Sequence, residues 1–273
     1  MTAKRGASMK ALELFNAGDL SAAISAAEQA VRSAPADLPA RVVLAELLCF
    51  AGQFERVDQQ LDAALSLDPQ HAVGLAQFRR VLRSEVARQD FFDSGRVPEL
   101  LADPTPSLRA RLEGALRLRM GDVAEAQAKF EEAEATRVRV SGTCDGAPFD
   151  DWRDADDLLG GVIEVLAGDG QYFWVAPEQI ESITFEPPQR PRDLLFRPAQ
   201  ISTRTGPGGA VFVPTLYAGA FRADRDALRL GRETDWHAPA GNIVRGVGQR
   251  MWVMGEDGRA ILDVTRIEVN ANG

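Results

Sequence analysis

Three pairs of residues in this chain, Gly18 and Gly52, Ala30 and Ala64, and Pro35 and Pro69, share one spacing of 34 residues. That is the length of a tetratricopeptide unit, a pair of antiparallel helices with its turns. Each glycine lets the chain turn between paired helices. Ala23, Ala27 and Ala30 then fall at i, i+4 and i+7, a small-residue face that allows a neighbouring helix to approach closely; Val57, Leu61 and Ala64 repeat it. Pro35 and Pro69 stop the second helix of each pair.

A later unit carries Gly121, Asp122, Val123, Ala126, Phe130 and Ala133, and its glycine stands 69 residues after Gly52, two periods plus one. The unit between is degenerate, with Phe91, Phe92, Gly95 and Pro98 followed by a loop holding Pro104 and Pro106. Residues 7–138 therefore read as a short α-solenoid within a helical-repeat domain at 1–140. Such solenoids bind peptides or helices on their concave face; the alternative is that the helices only support the second half of the chain.

After residue 160 the periodicity changes to β. Residues 162–166 and 171–175 flank a turn at Ala167-Gly168-Asp169-Gly170 and predict a hairpin. Residues 181–185, 210–217, 228–232, 250–254 and 260–269 predict further short strands between Gly- and Pro-rich breaks. The expected architecture is multidomain α and β: a tetratricopeptide-like α-solenoid, an acidic connector at 141–160, and a small bent β-sheet or barrel at 161–273, an SH3-like barrel being one form it could take.

Charge narrows the function. Residues 1–140 hold 18 Lys/Arg against 20 Asp/Glu, and residues 141–273 hold 13 against 20, within a net charge of −9. Neither half has the basic footprint of a nucleic-acid binder. No 18-residue apolar run predicts a membrane span, and the first 15 residues lack the apolar core of a signal peptide. Two distant cysteines, Cys49 and Cys144, suit a reducing compartment, and the cytoplasm is the expected location.

The most conspicuous local feature is a run of carboxylates, Asp145, Asp150, Asp151, Asp154, Asp156 and Asp157. Asp154-Ala155-Asp156-Asp157 lacks the glycine of a calcium loop, His71 and His237 lie in different halves, and no HExxH occurs, so no metal or other cofactor is expected. There is no GxSxG, and the glycines of 206–209 and 241–248 lack the P-loop pattern. No catalytic residue is expected; a carboxylate-dependent hydrolase is the enzyme alternative, and it needs two of these acids to converge in a pocket. If the run is helical around 154–159, Trp152 and Asp156 share a face, with Leu159 near it, and the acids stay outside.

In order along the chain, FDDWRDADDLLGGVIEVLAGDGQYFWVAPEQIESITF (149–185), PRDLLFR (191–197), GPGGAVFVPTLY (206–217), LRLGRETDW (228–236) and GQR (248–250) resemble the ImpE/TagJ family, accessory proteins of bacterial type VI secretion. The resemblance covers nearly the whole chain. It implies a cytoplasmic, non-enzymatic adaptor tied to virulence loci. It also implies a partner, the N-terminal helix of the contractile sheath's small subunit (TssB-like), and an indirect link to the AAA+ ATPase ClpV that recycles the sheath. No nucleic acid and no membrane insertion are implied. The alternative is a general tetratricopeptide scaffold or chaperone. Aromatic and arginine anchors dominate protein interfaces, so the expected border of a partner groove comprises Asp150, Asp151, Trp152, Arg153, Asp154, Asp157, Tyr172, Trp174, Tyr217, Arg232, Asp235 and Trp236, in the second half or at its junction with the solenoid. A competing account makes Arg192, Asp193, Arg232 and Asp235 buried ion-pair members that tie the β half to residues 150–157.

Overall fold

The structure, a computed structural model, describes residues 2–67 and 69–271. Two helix pairs open the chain, α1 (Thr2–Ala17) with α2 (Leu20–Ser33) and α3 (Leu38–Phe50) with α4 (Phe54–Leu67). Gly18 and Gly52 turn between the partners at φ +95° and +65°. The side chain of Asp19 accepts from the Ala22 amide at 2.8 Å and caps α2. Ala23, Ala27 and Ala30, then Val57, Leu61 and Ala64, are buried as the period required.

The degenerate unit has a physical explanation. Its first helix, α5 (Ala72–Ser94), runs 23 residues and ends on left-handed Gly95. No second helix succeeds it. The chain makes a short strand, β1 (Glu99–Leu100), and then the last pair, α6 (Pro106–Met120) and α7 (Val123–Ala135). The place of the missing helix is taken by a sheet, against which Phe91 packs its ring at 4.7 Å from that of Trp174.

The second half contributes β2 (Gly142–Cys144), β3 (Ala147–Phe149), β4 (Trp152–Asp154), β5 (Ile163–Ala167), β6 (Tyr172–Val175), β7 (Ile180–Phe185), β8 (Phe196–Thr203) and β9 (Gly209–Pro214). A one-turn helix α8 (Asp226–Arg229) comes next, then β10 (Thr234–Ala240), β11 (Ile243–Gly248), β12 (Met251–Met254), β13 (Asp257–Ala260) and β14 (Arg266–Val269). Nine strands form one sheet in the order β1-β6-β5-β9-β8-β7-β14-β2-β3; β10-β11 and β13-β12-β4 form two small ones. The expected hairpin is β5–β6, in register Ile163 opposite Val175. β1 joins β6 in parallel, so a strand from the helical half edges the large sheet.

Alternation on β5 and β6 sorts two cores. Leu166, Tyr172 and Trp174 face α5 and share one apolar cluster with the helices. Ile163, Val165 and Val175 face the other way, into a cluster with Trp152 and Trp252.

Three local expectations are corrected. Residues 154–159 are not helical: the carboxylate of Asp154 accepts from the Asp156 amide and that of Asp156 from the Leu158 amide, both at 2.9 Å. Such i to i+2 bonds turn the chain and compete with a helix. Trp152 and Leu159 are both buried, but in different clusters. The stretch 228–232 is the end of α8 and a turn at Gly231, φ +65°, rather than a strand; five alternating residues do not separate a strand from one helical turn. Residues 260–269 break at a 3₁₀ turn, Ile261–Asp263, before β14.

Candidate functional site

The acidic run is divided among separate structural tasks. Asp145, at φ +51°, takes the amides of Thr265 and Arg266. Asp151 forms a two-pronged pair with Arg137 at 2.7 Å in each prong. Burial opposes the Asp151 charge, but Arg137 outweighs it and holds the carboxyl below its usual range. Asp156, fully enclosed, receives Arg245 at 2.8 Å and the Gly246 amide at 2.9 Å. Asp157 receives the Val244 amide at 2.6 Å, and its carbonyl takes Arg111 at the same distance. Asp150 alone of this run's later members is exposed.

Asp154 belongs to a buried network that sequence reasoning missed. Arg88 on α5 sends Nε and Nη2 to the Glu164 carboxylate on β5 at 2.9 and 3.1 Å, and a further bond to the Leu216 carbonyl at 2.8 Å. Arg250 donates to the same carboxylate and lies 3.4 Å from Asp154. The Tyr172 hydroxyl donates to Glu164, and the Trp174 indole donates to that hydroxyl at 2.5 Å. The Tyr217 hydroxyl donates to Asp154 at 2.9 Å. Burial works against charge on Glu164, yet Arg88 and Arg250 outweigh it and hold its carboxyl at about 2. For Asp154 burial wins and pushes the carboxyl up to about 7. Glu164 and Arg250 sit inside the VIEVL and GQR segments of the sequence; an acid in an otherwise apolar strand was the available signal.

Tyr172, Trp174, Tyr217, Trp152 and Asp154 are thus interior residues, 0–3% exposed. Trp236 is 41% exposed and stacks edge-on against Tyr217. Asp235 pairs at the surface with Arg225 at 2.9 Å. Arg232 reaches the other half and donates to the Phe15 and Asn16 carbonyls at 2.7 and 2.9 Å. Arg153 is half-buried. Buried ion pairs do tie residues 150–157 down, but their cations are Arg137, Arg245 and Arg250. Arg192 faces Glu46 and the Phe78 ring instead, and Asp193 accepts from the Gln189 and Arg190 amides.

Among the described residues, three surface depressions are roomy enough to bear on binding. The largest, about 1290 Å³ beside α4 and α5, is charged, and its arginines have partners: Arg56 with Glu28, Arg79 with Asp58 and Asp62. A second, about 590 Å³, lies at the junction of the halves between Arg111, Glu134, Asp151, Arg153 and Asp157. The third, about 460 Å³, is a predominantly apolar groove made by α1, α3 and α5: Leu12 from α1, Leu38, Val42 and Val43 from α3, Leu75 from α5. The Gln189–Arg192 loop of the β half closes one side, and Glu46 lines it as a polar residue 2% exposed. Among the described residues no cluster of three or more potential metal ligands occurs, and no helix is long and apolar enough to cross a membrane.

Similarity to known proteins respects the same division. Residues 146–268 match the family model described as ImpE protein, and residues 14–77 match a tetratricopeptide repeat model. The type VI secretion system accessory component TagJ of Pseudomonas aeruginosa is 31% identical over 262 residues, which span 95% of this chain and 91% of TagJ. The chain belongs to the ImpE/TagJ family. A crystal structure of protein VPA1032 from Vibrio parahaemolyticus superposes on this ImpE/TagJ member with a TM-score of 0.89 at 27% identity, covering 96% of this chain and 97% of that one. Helical repeats, sheet and the junction between them are therefore shared with a solved structure along nearly the whole length.

Proposed function

We propose that this ImpE/TagJ member is a cytoplasmic, non-enzymatic accessory component of type VI secretion. In this reading it is an adaptor that takes up an N-terminal amphipathic helix of the sheath's small subunit, a TssB-like chain. It thereby modulates sheath assembly or recycling, with ClpV linked through the sheath. The observation that carries the reading is the open apolar groove on the helical face of a chain that is similar to TagJ over 95% of its length. Helix-in-groove recognition needs such a lining, which meets apolar anchors at i, i+3 or i+4 and i+7.

The enclosure of the acids supports a non-enzymatic role. Asp154 and Asp156 are 0% exposed. Asp154 Oδ1 accepts from Tyr217 and the Asp156 amide, and its Oδ2 is shut in 3.4 Å from Arg250 without a hydrogen bond among the described residues. The Asp156 carboxylate is engaged by Arg245 and backbone amides. Neither offers a carboxylate to a substrate.

The test is a calorimetric titration of the full chain with synthetic peptides spanning the N-terminal region of its cognate sheath small subunit. Saturable 1:1 binding to one helical segment is expected. No binding at high micromolar peptide overturns the sheath assignment and puts a general scaffold in its place.

A further inference from the structure

We propose that the groove of α1, α3 and α5 is the docking site, and that it selects a helix with an acidic flank and one neutral hydrogen-bond donor within its apolar stripe. The donor is set against Glu46 and the flank against Arg190 and Arg192. This rests on the adaptor reading and adds the site and the chemistry of the partner.

Shape comes first. On α3, Leu38, Val42 and Glu46 recur every four residues and present one continuous face of about 12 Å. Leu12 and Leu75 flank it from the neighbouring helices. Between them Gly74 leaves room, since a Cβ built there meets nothing within 4 Å. Met9 stands one turn before Leu12 on α1 and is 57% exposed, which extends the apolar face outward.

The polar specification comes from Glu46. Its residue is almost wholly buried, yet Oε1 makes no hydrogen bond among the described residues. The nearest cation, Arg192 Nε, lies 3.7 Å away, beyond hydrogen-bond distance. Buried polar atoms normally have a partner, and an exception at the wall of an open groove marks where a ligand atom would supply one. Burial pushes this carboxyl up to about 7. Oε1 can therefore accept from a hydroxyl or amide near neutral pH whether the group is charged or not. An ammonium placed there would stand beside Arg192 and be repelled, so a neutral donor fits better than a lysine.

The flank is specified by the loop of the β half. Arg190 is about half exposed and only loosely held, 3.9 Å from Asp193. Arg192 lies over the Phe78 ring at 4.4 Å. Both put positive charge on one side of the groove, and complementary charge on a partner sets its orientation.

The experiment uses the full chain and two kinds of probe. One is the set of sheath small-subunit peptides. The other is a designed pair of acidic-flanked amphipathic helices that differ only in Gln or Leu at mid-stripe. Binding is measured by calorimetry, and the site is mapped by hydrogen exchange. The Gln helix is expected to bind more tightly and to protect α3 and α5. Gly74→Phe, which fills open space, weakens binding at least about tenfold while leaving the melting temperature in place. Glu46→Leu reverses the Gln-over-Leu preference, and Arg190→Glu weakens binding most at low salt. Trp236→Ala has no effect.

If the sheath peptide binds and Gly74→Phe changes nothing, or Trp236→Ala removes binding, the groove assignment is overturned while the adaptor reading stands. If the designed helix binds in the groove and no sheath peptide does, the groove assignment stands and the sheath reading falls. If neither probe protects α3 and α5, the inference is wrong.

Discussion

Arg250→Met tests whether the buried charge network holds the two halves together. Arg250, Glu164 and Asp154 are all 0% exposed. Removing one partner of a buried pair leaves an uncompensated charge and costs about 3–5 kcal/mol. Here Glu164 keeps Arg88 and the Tyr172 hydroxyl, and Asp154, already pushed up to about 7, can take a proton. The loss should therefore fall near the lower end, about 3 kcal/mol. For a chain of this size that is a drop in melting temperature of roughly 6–12 °C. Glu164→Gln should cost more, about 5 kcal/mol, because Arg250 loses its main counter-charge and Arg88 retains only Glu85, at 3.1 Å. The assay is urea unfolding with differential scanning calorimetry on both variants. The order is the discriminating result: Arg250→Met equal to or worse than Glu164→Gln, or either variant within about 1 kcal/mol of the parent, would refute this account of the network.

Three other outcomes can be checked directly. Gly246→Ala should destabilise by about 1–3 kcal/mol through overpacking, because the new Cβ would lie 2.2 Å from a Tyr217 ring carbon; an unchanged urea midpoint would contradict it. Stability should fall as pH rises from about 4.5 to 7.5, by up to about 1.4 kcal/mol per unit for each of Asp154 and Glu46. Both folded-state values are raised to about 7, so the folded chain keeps protons that the unfolded chain has lost, and the stability present below the unfolded values is lost through pH 7. Asp154→Asn should flatten that slope by one group's share, and an unaltered slope would show that Asp154 does not titrate there. Glu164 works in the opposite sense: held at about 2, it contributes above the ordinary carboxylate range and loses that contribution only as pH falls toward 2. Residues 1–140 expressed alone should give no cooperative melt, since Phe78, Val81, Leu82 and Phe91 on α5 would lose the cover of the sheet.

The helical half was legible because its signal is local. A period of 34 residues and a small-residue face are properties of neighbouring positions, and the structure places Ala23, Ala27 and Ala30 where the period put them. The sheet was less so. β8 and β10 carry prolines and alternate poorly, and their pairing depends on chain far away in sequence. The acidic run misled for a related reason. Six carboxylates close in sequence suggest one surface, but strand β4 and two successive Asp turns direct them to different partners. A concave binding face was expected of the solenoid, but the residues of this groove could not be named from sequence because Leu38, Val42 and Leu75 look like core; only the stacking of α1, α3 and α5 leaves one face of them open.

The long α5 explains why the repeat stops and the sheet begins. Its first turns supply Gly74 and Leu75 to the groove, while fourteen positions after Gly74 Arg88 enters the sheet and grips Glu164. The β half answers through the loop before β8, which brings Arg190 and Arg192 back over α3. The groove is therefore held from two directions by the same partner half. A second helix directly after α5 would have continued the repeat but left no sheet face for Phe91 and Arg88 to occupy. With the sheet half in that helix's place, two arginines, Arg190 and Arg192, come to the edge of the groove. That coupling is the physical reason to expect a helix-binding surface whose selectivity depends on both halves, although most of its lining comes from one.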